Sequence, residues 1–184
     1  ASKGKTMKEA QLILGGGCFW CLDAVYREVP GVLGCTSGYA GGARPNPSYE
    51  QICSGATGHA EVVKLRFDAE QTSLERLLEI FFTIHDPTTL NRQGADTGTQ
   101  YRSVIFCGDD AQRSSVTAFV DQLVAADIFD APIVTEISDA VPFYDAEEYH
   151  QDYFRRNPGQ GYCRMVVSPK VAKYRKLFGP DAGG

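Results

Sequence analysis

Cys18-Phe19-Trp20-Cys21 follows three consecutive glycines, Gly15-Gly16-Gly17, which themselves close a short apolar run, Gln11-Leu12-Ile13-Leu14. A sulfur at a strand-to-helix turn lies where unpaired helix N–H groups and the positive end of the helix dipole favour the thiolate, the nucleophilic form of cysteine. The plainer outcome for Cys18 is an inert buried thiol, a common fate of cysteine; the glycines and the helix start weigh for the nucleophile. C-x-x-C at a helix start is also the pattern of dithiol redox proteins, which makes a thioredoxin-like fold the rival architecture.

Glu61 is the second anomaly. From His59 to Phe67 the chain alternates, with Glu61, Val63, Leu65 and Phe67 on one face and Val62, Lys64 and Arg66 on the other. A carboxyl on the apolar face of a strand has its pKa raised by desolvation and can hold a proton to donate; the alternative is that Glu61 starts its strand at a wet edge. Tyr39 in Ser-Gly-Tyr-Ala-Gly-Gly and Tyr101 in Gln-Tyr-Arg-Ser read as loop positions, able to donate hydrogen bonds in the same pocket or to serve as core aromatics. A thiol, a carboxylic acid and neighbouring aromatics fit redox sulfur chemistry with proton delivery better than hydrolysis.

Other chemistries fit less well. The glycines lack the third Gly of G-x-G-x-x-G, Trp20 standing in its place, and no Gly-Lys-Ser/Thr follows, so nucleotide binding has little support. His59-Ala60-Glu61 with a C-x-x-C echoes the zinc deaminase signature, but the cysteines lie upstream of the His and follow Gly17 where that signature has Pro. No metal and no other cofactor is expected. A formal charge of -5 on 184 residues argues against nucleic acid, and no apolar stretch is long enough to span a bilayer. Six irregularly spaced cysteines in a chain long enough to carry its own core point to reduced thiols and a cytoplasmic location, not to a disulfide frame. A monomer is expected.

The elements that must position these residues follow from periodicity and turn signals. A strand over 11–14, a helix from Phe19 to Val29, a strand over 32–39, a small segment around Tyr49 and a strand over 59–67 come first. Thr72-Ser73-Leu74-Glu75 has capping-box spacing and opens a helix that ends at Asp86-Pro87. A strand over 102–107, a helix around Val116 to Val124 and a strand over 133–137 follow. Asp145-x-x-Glu148 is expected to cap a helix carrying Tyr149, His150, Tyr153 and Phe154, and Ser168-Pro169 to open a final short one. The basic ends, Lys3, Lys5 and Lys8 and Lys170, Lys173, Arg175 and Lys176, read as solvated surface. Strand, helix, strand, strand, helix, strand is the split βαβ pattern, predicting an α+β, ferredoxin-like two-layer sandwich with additional loops and a C-terminal extension. One catalytic domain over 1–184 is expected, with a core of about 10–140 and a segment 141–184.

Gly17-Cys18-Phe19-Trp20 resembles the signature of the methionine sulfoxide reductase A family. Further segments resemble that family in its order: Gly38-Tyr39-Ala40-Gly41-Gly42, Thr57 to Val62, His85 to Thr88, Asn91 to Gly94, Gly98 to Ser103, Ala146 to Gln151 and Gly161-Tyr162-Cys163. The resemblance implies reduction of methionine-(S)-sulfoxide, free or in proteins, by attack of Cys18 on the sulfoxide sulfur. It gives Glu61 the role of proton donor and Tyr39 and Tyr101 hydrogen bonds to the oxygen; Phe19 and Trp20 form the wall that receives the S-methyl group, and Asp96 contacts the substrate backbone. It further implies a Cys18 sulfenic acid resolved by Cys163 and recycled by thioredoxin. Gly159 and Gly161, in a stretch without predicted regular structure, would let Cys163 approach Cys18. The family's usual Gly after Phe-Trp is here Cys21, an alternative resolving thiol that would form a strained local disulfide and also leaves a general dithiol-disulfide oxidoreductase as the second reading. Ala95 and Thr97 replace the Asn and Arg that usually flank the aspartate.

Overall fold

The computed structural model describes residues 8–179; Lys3 and Lys5 lie outside them. In chain order the elements are β1 (Glu9–Gly15), α1 (Phe19–Tyr26), β2 (Val32–Ala40), α2 (Tyr49–Cys53), β3 (Ala60–Asp68) and α3 (Leu74–Ile84). A two-residue ribbon, β4 (Arg92–Gln93) and β5 (Asp96–Thr97), precedes β6 (Val104–Cys107), α4 (Asp110–Ala125), β7 (Glu136–Asp139), β8 (Phe143–Asp145), α5 (Tyr153–Arg156) and α6 (Ser168–Phe178). The main sheet runs β7-β6-β1-β3-β2-β8, antiparallel throughout except for the β6–β7 pair. The fold is α+β around one mixed sheet.

Alternation along β3 sets the core. Val63, Leu65 and Phe67 join Leu12 and Leu14 of β1 against the buried stripes of α1 and α3, including Leu22, Val25, Leu78 and Phe81. The other face is not the polar one that Lys64 and Arg66 suggest at its near end: Val62 lies in a second cluster with Ala40, Ala60, Val104 and Phe106. Val141 and Phe143 close it, and β8 explains this, because it adds to β2 and carries Phe143 over that end of the sheet. Farther along, Lys64 places its ammonium 4.5 Å from the Phe143 ring centroid.

Local chemistry corrects several expectations. The α3 cap is Ser73, whose hydroxyl accepts the Arg76 N–H at 3.1 Å, one residue later than the Thr72 spacing indicates. The strand predicted over 133–137 lies at 136–139. Asp145 caps nothing: it ends β8, and the expected helix is split into a single 3-10 turn, Glu148–His150, and the short α5. Asp152, in the left-handed region at φ 54, separates the two, so helical spacing of the aromatics does not make a continuous helix. The final helix is longer than expected: residues 161–162 are already helical, and a π-helical turn, Cys163–Val167, runs into α6.

Candidate active site

Gly15-Gly16-Gly17 carries the chain from the end of β1 to the start of α1 through a space that admits no side chain. A Cβ on Gly16 would lie 2.9 Å from His85 Cδ2, and one on Gly17 would lie 2.9 Å from Gln93 Cγ. Gly17 also has φ +88, a conformation glycine adopts without penalty. Its N–H donates to the Tyr101 carbonyl at 3.2 Å, fixing the glycine turn to the segment before β6. Cys18 is thereby set as the N-cap of α1, partly exposed, with Phe19, Trp20 and Cys21 in the first turn.

Glu61 lies under that helix end. It is 1% exposed, so the wet-edge alternative fails, and its Oε1 accepts the Phe19 N–H at 3.2 Å. Burial pushes its pKa up to about 8; the Phe19 N–H pulls down and the Asp96 charge pushes up. The carboxyl therefore holds its proton at neutral pH. Cys18 departs from expectation, because its pKa is raised well above the ordinary thiol value. Burial is the largest cause, followed by the charges of Glu61 and Cys21, with the Trp20 N–H acting the other way. Desolvation, the largest cause, outweighs the helix end here.

The two tyrosines occupy different surroundings. Tyr39 is a fully buried residue of β2, not a loop residue; it pairs with Glu61 in the β2–β3 ladder, and its hydroxyl donates to Glu147 Oε1 at 2.9 Å. Tyr101 ends a 3-10 turn, Thr99–Tyr101, and is half-buried. Its hydroxyl pKa is raised by burial, then by Glu61, Asp96 and Cys18, so it belongs to the same group. Asp96, in β5, accepts a hydrogen bond from the Tyr162 hydroxyl. Phe19 is buried between Tyr39 and His150, at ring-centroid distances of 5.6 and 5.1 Å. Trp20 is half-buried, with one face stacked on Tyr153 at 3.7 Å and 3°, and its indole N–H donates to His150 Nδ1 at 3.1 Å.

All six cysteines are free thiols. Cys163 does not lie in a loop: it is buried at the start of the π-helical turn, because residues 161–178 form helix past Gly159 and Gly161. Cys21 and Cys163 share one buried cluster where α1 packs on that turn. Cys21 is pushed up to about 11 by burial, against the opposing charge of Lys170. Cys18 and Cys21 are the N-cap and N3 residues of one helix, and the Cys21 N–H donates to the Cys18 carbonyl at 3.1 Å.

Four residues given no role by sequence reasoning complete the site: Glu147, His150, Tyr153 and Tyr162. The signal was present in the density of aromatics from Tyr149 to Tyr162, but which ring meets Trp20 depends on the break at Asp152. A cavity of 880 Å³ opens at Cys18 and is lined further by Asp96, Tyr162, Phe129 and Lys170.

A half-buried cysteine at a helix start, followed by a residue whose N–H is held by a carboxyl that keeps its proton, and carried by an α+β sheet, defines an oxidoreductase working through a thiol. The model of the family described as peptide methionine sulfoxide reductase matches residues 10–181, and the chain belongs to that family. A peptide methionine sulfoxide reductase MsrA of Polynucleobacter asymbioticus is 58% identical over 165 residues, covering 90% of this chain and 87% of that protein. The structure of Mxr1 from Saccharomyces cerevisiae in reduced form superposes with a TM-score of 0.78 at 35% identity, covering 86% of this chain and 94% of that one. Mxr1 in complex with Trx2 is also similar, with a TM-score of 0.57 at 27% identity over 81% of this chain and 91% of that chain.

Proposed function

We propose that this chain reduces methionine-(S)-sulfoxide, free or in proteins, with Cys18 as nucleophile and Glu61 as proton donor. The observation that carries the proposal is the Glu61 carboxyl, buried, proton-bearing at neutral pH and hydrogen-bonded to the residue after Cys18. Sulfoxide oxygen is a poor leaving group until it is protonated, and Glu61 supplies that proton. Cys18 arrives as the thiol; its proton passes to the Glu61 carboxylate as its sulfur attacks the sulfoxide sulfur, so Glu61 ends as it began. The S–S bond so formed then breaks as the hydroxyl passes to the Cys18 sulfur, its electron pair going to the methionine sulfur, so methionine leaves reduced by two electrons and Cys18 is left as a sulfenic acid. Tyr101, and Tyr39 once released from Glu147, hydrogen-bond the oxygen; Phe19 and Trp20 receive the S-methyl group, and Asp96 holds the substrate backbone.

A second thiol then attacks the sulfenic sulfur, forming a disulfide and releasing water. Cys163 takes this part in our reading, with Cys21 the alternative. Cys163 is buried in a helix, so its route to Cys18 requires the turn at 163–167 to open, and a π-helical turn is where helices are interrupted for function. The dithiol of thioredoxin reduces the disulfide, a reading supported by the Mxr1–Trx2 complex. We read the antiparallel order β6-β1-β3-β2 as a ferredoxin-like core in one domain of 1–184, whose segment 141–184 carries Cys163. We read the chain as a cytoplasmic monomer, the six free thiols fitting a reducing compartment.

Mass spectrometry after a limiting amount of methionine-(S)-sulfoxide tests the proposal. One disulfide containing Cys18 per methionine formed is expected; consumption of the R epimer alone, or a disulfide that omits Cys18, overturns it.

A further inference from the structure

The one polar atom of the Trp20 side chain is bonded to a group that can gain a proton. The indole N–H donates to His150 Nδ1 at 3.1 Å, and an indole has a hydrogen to give but no nitrogen lone pair with which to accept one. Nδ1 is therefore the bare nitrogen of a neutral ring, and the ring hydrogen sits on Nε2. His150 is 1% exposed, and its Nε2 is buried without a hydrogen-bond partner among the described residues.

Aromatic side chains surround the imidazole. Centroid to centroid, it lies 5.1 Å from Phe19 and 5.8 Å from Trp20 of α1, 4.5 Å from Tyr49 of α2 and 4.0 Å from Tyr149 of its own 3-10 turn. It thus touches both residues of the wall assigned to the S-methyl group. Phe19 and Trp20 carry no charge, and burial raises the Tyr49 and Tyr149 hydroxyls, which keeps both phenols neutral. The Glu147 carboxylate favours a cation here, but burial outweighs it and holds the His150 pKa below its ordinary value. A second proton would put charge into this cluster, leave Nε2–H unpaired as before and turn Nδ1 into a donor aimed at the indole N–H.

We propose that His150 is a positioning residue for substrate binding: its neutral Nε2–H form fixes the Trp20 indole as the wall for the S-methyl group, and protonation at Nδ1 releases that wall. The inference rests on the proposed function, which gives Phe19 and Trp20 the methyl group. His150 touches no reacting atom, so it acts on affinity for the sulfoxide and not on the rate of the bound complex. Loss of the acceptor leaves a buried donor unpaired, which corresponds to about tenfold in affinity.

The test uses the full chain in single turnovers at increasing methionine-(S)-sulfoxide, which give affinity and saturated rate separately. His150→Leu removes the acceptor and is expected to weaken affinity about tenfold while the saturated rate changes far less. His150→Asn places an amide oxygen near the position of Nδ1 and has no proton to gain; it is expected to recover most of the lost affinity. Below pH 6.5, the ordinary histidine value, wild-type affinity should weaken as pH falls and that of His150→Asn should not. Trp20 is the chain's single tryptophan, so one indole N–H cross peak in a ¹⁵N NMR spectrum reports on the bond directly. It should move with pH over the same range in the wild type and stay in place in His150→Asn. Should His150→Leu not fold, the wild-type and His150→Asn pH series decide alone. Wild-type affinity in His150→Leu, a lower saturated rate with affinity unchanged, or a wild-type cross peak fixed down to acid unfolding overturns the inference. A chain whose cross peak titrates but which never reduces the S-sulfoxide sinks the proposed function; turnover that is indifferent to His150 sinks this inference only.

Discussion

The N–H of Phe19 donates to Glu61 Oε1 across 3.2 Å, so a free donor at the N-terminus of α1 is spent on a carboxyl rather than on the neighbouring Cys18 sulfur. A helix end normally lowers a thiol pKa, but here one of its N–H groups pulls on the Glu61 carboxyl, and burial raises both the carboxyl and the thiol in spite of the helix. The site keeps both protons at neutral pH, which suits a reaction that needs a proton on the departing oxygen.

Glu61→Gln keeps the oxygen that accepts from Phe19 and removes only the proton supply. The rate of methionine formation in a single turnover is expected to fall by roughly 10²–10⁴-fold, the usual size of a general acid's contribution. In the wild type that rate should decline as pH rises through about 8, where Glu61 ionises. A Gln variant with wild-type single-turnover rates would remove Glu61 from the mechanism.

The same shift links pH to stability. The folded pKa of about 8 lies above the reference value of 4.5, so between those values the unfolded chain releases a proton that the folded one keeps. The favourable contribution is therefore complete below about 4.5 and lost as pH rises through 8, a fall on the order of 5 kcal/mol. Urea unfolding at pH 5 and pH 9 should show this loss in the wild type and its absence in Glu61→Gln, the variant gaining on the wild type at the higher pH. Parallel curves for the two proteins would mean that Glu61 is not desolvated.

Which parts of this site were legible in the sequence depends on whether one local signal decides them. The glycines before Cys18 and the alternation around Glu61 each fix a position within a few residues, and both residues lie where those patterns indicate. The Cys18 pKa was not legible, because its largest cause is burial by tertiary packing, and Glu61, which adds to it, arrives from β3. The break at Asp152 was hidden for a similar reason: aromatics at helical spacing continue through it, and only a positive φ interrupts them. Val62 misleads because β8, three residues long, leaves little trace in the sequence, yet it carries the ring that covers that face.

Gly17→Ala tests the glycine turn. Alanine at φ +88 is strained by about 1–3 kcal/mol, and its Cβ would meet Gln93 Cγ at 2.9 Å. For a chain of this size the expected loss is roughly 2–4 °C in Tm per kcal/mol, read by calorimetry, with reduced turnover because Cys18 follows directly. An unchanged Tm would show that the turn can take another path.

Cys163→Ser separates the two candidate resolving thiols. One equivalent of methionine per chain is expected, followed by arrest of thioredoxin-dependent cycling, measured by NADPH consumption through thioredoxin reductase. Continued cycling in Cys163→Ser that stops in Cys21→Ser would transfer the role to Cys21, which stands at N3 of the helix that Cys18 caps.

Trp20 is the chain's single tryptophan, so its emission reports on the segment that covers it. Tyr153 lies flat on one face of the indole and His150 accepts its N–H, so the rings that hold Trp20 belong to the same C-terminal segment as Cys163. Tyr153→Ala removes about 0.5–1.5 kcal/mol of stacking and admits water to that face. Its emission maximum should move to longer wavelength, whereas Tyr153→Phe keeps the stack and the wild-type spectrum. If Cys163 must leave its helical turn to reach Cys18, disulfide formation should disturb the same stack. Adding one equivalent of methionine-(S)-sulfoxide to the wild type should then shift Trp20 emission in step with loss of thiols, and Cys163→Ser should turn over once without the late part of that shift. Disulfide formation with no change in Trp20 emission would show that Cys163 reaches Cys18 while Tyr153 stays in place.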